Sequence, residues 1–234
     1  MSEPTFPIAS LTVPVIAIDG PSASGKGTVA QLVAEKLGFH YLDSGALYRI
    51  VALATQQKNI AWDDALAVTE CAKKLTIRFN NDQVYLQEGE VLKDISDEIR
   101  TEAMGKGASQ IAVHASLRAA LLDLQHSFCQ APGLVADGRD MGTVVFPNAQ
   151  LKIFLTASTE VRATRRYQQL LAKNQPANFD NILLDLQERD ARDKSRASAP
   201  LVMANDAILL ETDNLGISEA VDIVLQNYQR KICK

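Results

Sequence analysis

Cysteine is scarce in this chain. Cys71, Cys129 and Cys233 are the only three in 234 residues, they lie far apart, and they form no C-x-x-C pair. An odd count at such spacing excludes a disulfide framework and reads as reduced thiols. Histidine is as sparse, and His40, His114 and His126 make no ligand spacing with the cysteines, so no structural zinc site is expected. No run of about 18 apolar residues occurs, which excludes a membrane-spanning helix. Met1-Ser2-Glu3-Pro4 has no basic start and no unbroken apolar stretch, so no secretory leader is expected. An excess of positive charge is missing too: the net charge is −4, which gives no global field toward nucleic acid or an anionic membrane. Together these absences lead to the expectation of a cytoplasmic protein.

What is present is a substantial apolar fraction, 47% of the chain, enough to bury a core without staples. Residues 1 to 12 read as a lead-in. Val13 to Asp19 is β-branched and apolar and predicts a buried strand. A helix is expected from Thr28 to Leu37 with Gly38 as its cap, then a short strand at Tyr41 to Asp43 and a helix opening near Ser44. After Asp64 the pattern changes. A helix over Ala65 to Lys74 precedes a hairpin, Leu75 to Phe79 and Val84 to Leu86 around Asn80-Asn81-Asp82, which fits an inserted lobe better than an alternating βα array. Helical segments follow at Asp97 to His114 and Ala115 to Gln130. Strands resume at Leu134 to Asp137, Leu151 to Leu155 and Ile208 to Glu211. Two arginine-bearing helices joined by Lys173 to Asn181 lie between the last two, and a final helix has Ser218 as its candidate N-cap. About five apolar strands interspersed with helices predict a three-layer parallel α/β sandwich, with ligands at the carboxyl ends of the strands.

Gly20-Pro21-Ser22-Ala23-Ser24-Gly25-Lys26 matches G-x-x-x-x-G-K between an expected strand and an expected helix. Glycines let the backbone curl so that several N–H groups aim at one anion, and the helix start adds its dipole. Lys26 would reach the outer phosphates of a nucleotide. The position after the lysine, where a hydroxyl commonly meets Mg2+, is Gly27, with Thr28 next. That leaves the metal to water or to an acid elsewhere, such as Asp19 or Asp137.

Six of the twelve arginines fall between residues 162 and 196. Arg162, Arg165 and Arg166 share one helical face, and Arg189, Arg192 and Arg196 another. Like charges at such spacings cost a helix about 0.2–0.5 kcal/mol per pair, so a polyanion between the two helices is expected. The implied device is a lid that closes over a transferring phosphoryl group. Glu160, Glu188, Asp190 and Asp193 offer the other reading, a balanced solvated face.

No N-K-x-D motif is present, which argues against a GTPase switch, and the H-R-D and D-F-G elements of protein kinases are absent. The acceptor is therefore expected to be small. Two clusters fit an anion: Asp43-Ser44-Gly45-Ala46-Leu47-Tyr48-Arg49 at a helix opening, and Asp137-Gly138-Arg139-Asp140-Met141-Gly142-Thr143 at a strand end.

The phosphate loop and these two clusters, with Glu188-Arg189-Asp190-Ala191-Arg192-Asp193-Lys194-Ser195-Arg196, resemble bacterial cytidylate kinases, a family of nucleoside-monophosphate kinases, from about Val13 to the C-terminus. The phosphate loop marks phosphate-loop kinases widely; the strand-end and lid motifs are more specific. In this family Gly-Thr after the lysine is typical. The resemblance implies ATP-dependent phosphorylation of CMP and dCMP with Mg2+. It implies ATP on Gly20 to Thr28, with the lid's Arg162 and Arg166. It implies that Ser44, Arg49, Arg139 and Arg196 hold the acceptor phosphate, that Ser109, Arg118 and Asp140 read cytosine, and that Arg189 and Asp193 contact the sugar. Lys26, Arg139, Arg189 and Arg196 are the expected catalytic set, and no side chain is assigned as a direct metal ligand. The chemistry agrees: a carboxylate accepts from the cytosine amino group, and an arginine donates to N3 and O2. Sequence alone would leave Ser109 and Arg118 on an ordinary helix surface.

One domain over residues 1–234 is expected, with an acceptor lobe at 63–130 and a lid at 159–200. Nothing in the sequence demands an oligomer, so a monomer is expected. A small-metabolite kinase of the shikimate or gluconate type and a non-catalytic nucleotide-binding regulator stand as alternatives. The first would leave the inserted lobe without a purpose.

Overall fold

The computed structural model describes residues 13–80 and 83–233, so the expected lead-in and the hairpin tip at Asn81-Asp82 lie outside it. Strand β1 (Val15–Asp19) is buried along its whole length and runs at the centre of a parallel sheet. β2 (His40–Asp43) and β6 (Leu134–Gly138) lie on one side of it, and β7 (Leu151–Thr156) and β8 (Ile208–Glu211) on the other, in the order β2-β6-β1-β7-β8. Val15 pairs with Leu134 and Asp19 with Gly138, so the phosphate loop and the Gly-Arg-Asp motif leave the sheet side by side.

Alternation in β1 splits the core. Ile16 and Ile18 face α1 (Lys26–Leu37) and α8 (Ile217–Ile232), where Val29, Val33, Val221 and Val224 are fully covered. Val15 and Ala17 face α2 (Ser44–Gln57), whose Leu47, Ile50 and Val51 are likewise buried. Burying each such side chain contributes about 1.5–3 kcal/mol. The expected three-layer parallel α/β sheet is what forms.

The expected elements between the strands are also there, with shifted bounds. α1 begins at Lys26 rather than Thr28, because Gly25 at φ 90° turns the chain directly into the helix. Gly38 at φ 66° closes it as expected. Asp43 caps α2, its Oδ1 accepting the Ala46 N–H at 3.0 Å. After α3 (Ala65–Lys73) the inserted lobe holds three antiparallel strands rather than a hairpin: β3 (Ile77–Asn80), β4 (Gln83–Glu88) and β5 (Val91–Asp94). β5 escapes the sequence pattern because Val91, Leu92 and Asp94 are exposed, leaving no apolar alternation. The expected helix at Asp97 to His114 is a 3₁₀ turn, Glu98–Arg100, followed by α4 (Glu102–Ile111), which Thr101 caps. α5 (Ala115–Ser127) follows.

After β6 the chain makes a π-helical turn at Met141–Val145, and Asp19 explains it. Both Asp19 carboxylate oxygens accept backbone N–H groups, from Met141 and Gly142, each at 2.8 Å. The arginine-bearing helices are α6 (Thr159–Ala172) and α7 (Phe179–Ser195). The last helix corrects one expectation: its N-cap is Gly216, not Ser218. The Gly216 N–H donates to the Glu219 carboxylate at 2.8 Å, and Ser218 lies inside the first turn.

Candidate active site

The phosphate loop owes its shape to two left-handed backbone turns, one at a glycine and one held at an alanine against its preference. Ala23 (φ 59°) and Gly25 (φ 90°) curl it, and a Cβ on Gly20 would stand 1.9 Å from the Leu155 carbonyl oxygen. Lys26 is buried and donates to the Pro21 carbonyl at 3.4 Å. Its Nζ lies 4.0 Å from Asp137 Oδ1. Burial pushes this lysine and this carboxyl toward their neutral forms, and their mutual attraction opposes that.

The missing hydroxyl after Lys26 has a physical reason here. A Cβ on Gly27 would meet Asp137 Oδ2 at 3.1 Å and the Tyr41 hydroxyl at 3.5 Å. That hydroxyl donates to Asp137 Oδ2 at 2.8 Å. The space beside Lys26 is therefore filled by a carboxylate from β6.

The loop opens into a cleft of about 530 Å³ bounded by β6, the inserted lobe and α7. That volume suits a small ligand. At the strand end, Arg139 donates through Nη2 to Ser22 Oγ at 2.7 Å, through Nε to Asp193 Oδ2 at 2.7 Å, and through Nη1 to the Gly138 carbonyl at 3.2 Å. Ser44 is buried against Gly138, where a Cβ would meet Ser44 Oγ at 2.5 Å. Arg49 Nη1 donates to the Ile99 carbonyl at 3.1 Å.

A buried ion pair that lines the same cleft joins Arg118 of α5 to Asp140. Arg118 sits 5.6 Å from the centre of the Tyr48 ring, a cation–π distance. Arg196 Nη2 comes within 3.9 Å of the other Asp140 oxygen. Ser109 Oγ accepts from Arg192 Nε at 3.2 Å. The fold thus buries Ser109 and Arg118 in the cleft rather than leaving them on a helix surface.

The lid arginines do not form two simple faces around one space. Arg162 is buried, donates to the Ser22 carbonyl at 3.1 Å, and is held by both Asp190 oxygens, the closer at 2.6 Å. Arg165 points to the Ser24 carbonyl at 3.3 Å and to Thr212. Arg166 reaches away from the loop to Glu102 at the start of α4. Arg192 bonds Ser109 and Glu188, so of the second trio only Arg189 and Arg196 line the cleft. The carboxylates of Asp190, Asp193 and Glu102 relieve the repulsion among these arginines, the first two as the balanced-face reading expected. Relief is incomplete at Arg189. Its Nε is buried without a hydrogen-bond partner among the described residues, and burial with the charges of Arg139 and Arg49 lowers its pKa to about 10. That end of the cleft favours an anion.

Asp190, Tyr41 and Glu102 had no assigned role from sequence. Asp190 was legible only as a balancing charge, and Tyr41 and Glu102 carry no spacing signal. Among the described residues no group of three His, Cys, Asp or Glu side chains could hold a metal by itself. No helix among them is long and apolar enough to cross a membrane.

Comparison with known proteins bears on the fold and the family. An uncharacterized protein from Eubacterium ventriosum ATCC 27560 has a similar fold, with a TM-score of 0.50 at 13% identity over 93% of this chain and 98% of that one. A cytidylate kinase of Polynucleobacter asymbioticus is 57% identical over 220 residues, 94% of this chain and 98% of the relative. One from Chromobacterium violaceum is 55% identical over 221 residues, with the same coverage of each. The family model described as cytidylate kinase matches residues 16–230, nearly all of the sheet and both arginine-bearing helices. This chain belongs to the cytidylate kinase family.

Proposed function

We infer that this chain transfers the terminal phosphoryl group of ATP to CMP or dCMP, giving ADP and CDP or dCDP. The observation that carries this reading is a single cleft lined both by the phosphate loop and by the buried Arg118–Asp140 pair. Gly20 to Thr28 bind the donor phosphates, Lys26 bridges toward the outer ones, and Arg162 closes on the loop from the lid. Ser44, Arg49, Arg139 and Arg196 hold the acceptor phosphate. Asp140 accepts from the cytosine amino group, while Arg118 and Ser109 complete that edge. Arg189 and Asp193 face the sugar. Arg166, drawn to Glu102, sits at the boundary between lid and acceptor lobe, which span 159–200 and 63–130.

The acceptor phosphate has a second pKa of about 6 and is mostly ionised at neutral pH. It needs no general base to remove a proton before attack. Catalysis is then alignment of two phosphates and neutralisation of their charge by Lys26 and the arginines. Mg2+ fits this site in company with the nucleotide. It takes oxygen ligands and keeps several waters beside one or two carboxylates. Asp137 lines the cleft, whereas both oxygens of Asp19 are engaged by backbone N–H groups. Asp137 would hold the ion together with the nucleotide phosphates, and the ion would supply further charge neutralisation there.

A panel of nucleoside monophosphates assayed for ADP production tests the reading. CMP and dCMP should be the preferred acceptors. Preference for AMP, UMP or a sugar alcohol would overturn it.

A further inference from the structure

Three arginines from three helices converge on the first turn and a half of α4. A Cβ on Gly105 would stand 3.4 Å from Arg189 Nη1 and 3.4 Å from Arg49 Nη2, so both guanidiniums lie against this face of the helix. Glu102, one turn earlier on the same face, takes the ion pair with Arg166. Glu102 lines the acceptor cleft with all three arginines. Its charge also acts on Arg49 and Arg189, in each case against the effect of burial.

We propose that Glu102 is the resident counter-ion of the acceptor-phosphate site, and that the phosphate of the incoming nucleotide exchanges with it. This rests on the acceptor reading above. The exchange is favourable in charge. Glu102 brings a single negative charge to its ion pair with Arg166 and acts at longer range on Arg49 and Arg189, whereas the phosphate that Arg49 helps to hold brings about −1.5 to −2 and three acceptor oxygens. It is also sterically easy. The Glu102 side chain is half exposed, so on release it turns into water. Arg166 is freed at the same moment and faces the cleft, which couples arrival of the acceptor to the lid helix α6. Glu102 therefore weakens phosphate binding, and its removal strengthens it. A plain strut between lid and acceptor lobe predicts the opposite sign.

Calorimetric titration of the full chain without ATP decides the matter, using CMP, cytidine and inorganic phosphate on the wild type and on Glu102→Gln. The variant should bind CMP and inorganic phosphate about two- to fivefold more tightly, the scale of a half-exposed ion pair. Cytidine, which lacks the phosphate, should bind both proteins alike. CMP and phosphate binding that is unchanged or weaker in the variant overturns the proposal, as does an equal gain for cytidine. Glu102→Ala gives the same direction and guards against a folding defect special to glutamine. If the wild type fails to prefer CMP among monophosphates, the acceptor assignment fails, while the inorganic phosphate titration still decides the role of Glu102.

Discussion

Arg139 and Ser22 are 117 residues apart, and the Arg139 guanidinium donates to Ser22 Oγ at 2.7 Å. The carbonyl of the same serine accepts from Arg162. Asp193 holds Arg139 and Asp190 holds Arg162, and these two carboxylates are one turn apart on α7. The phosphate loop, the end of β6 and helix α6 therefore meet at one residue. Ser22→Ala keeps the carbonyl and removes the hydroxyl that fixes Arg139. A hydrogen bond to a charged group contributes about 1.5–3 kcal/mol, of which the Asp193 and Gly138 contacts retain a large part. A fall in kcat of about three- to tenfold is expected, with the KM for ATP within about twofold. Steady-state kinetics checks this, and an unchanged kcat would contradict it.

Gly27→Ser would supply the hydroxyl that many phosphate loops place after the lysine. Here the added Cβ meets Asp137 Oδ2 at 3.1 Å, so the carboxylate or the helix must shift. We expect lower kcat and no gain in apparent Mg2+ affinity. A Mg2+ titration of initial rates reads both.

Asp140 is paired with Arg118 in a buried setting, so the group presented to position 4 of the base matters. Asp140→Asn gives that edge a donor suited to the uracil O4. The ratio of kcat/KM for CMP over UMP should fall by about tenfold or more, because a mismatched polar edge leaves buried groups unpaired. A ratio that stays constant while both rates drop would assign Asp140 to structure alone.

Burial raises the Asp19 carboxyl from its ordinary 3.8 to about 6, against the lowering effect of its two backbone hydrogen bonds. Between these values the native state holds a proton that the unfolded chain has released. The resulting contribution to stability is present below pH 3.8 and is lost as the pH rises through about 6. Asp19→Asn removes that titration. Urea unfolding at a series of pH values should show the wild type losing stability relative to the variant between about pH 4 and 6. A constant difference across that range would refute it.

The sheet was legible because its three inner strands, β6, β1 and β7, are short, apolar and almost wholly buried, a pattern that neighbours along the chain reveal. β5 was not, since its exposed residues carry no apolar period. The π-helical turn was hidden for a different reason. It exists because Asp19, on a strand far earlier in the chain, accepts two of its N–H groups. The Ser218 cap failed locally: Glu219 reaches back to the Gly216 N–H and starts the helix earlier.

The sequence by itself determined the phosphate loop, the strand-end Gly-Arg-Asp and the concentration of arginines, since each is a short run whose backbone or charge acts locally. Its motifs also carried the resemblance to cytidylate kinases. Tertiary structure decided which charges face one another. Arginines spaced as one helical face part company, Arg162 to Asp190 and the phosphate loop, Arg166 to Glu102. Only the packed fold brings α5 against the end of β6, which places Arg118 on Asp140. Pairing energy depends on distance through space and on burial, and neither is written in the spacing of residues along the chain.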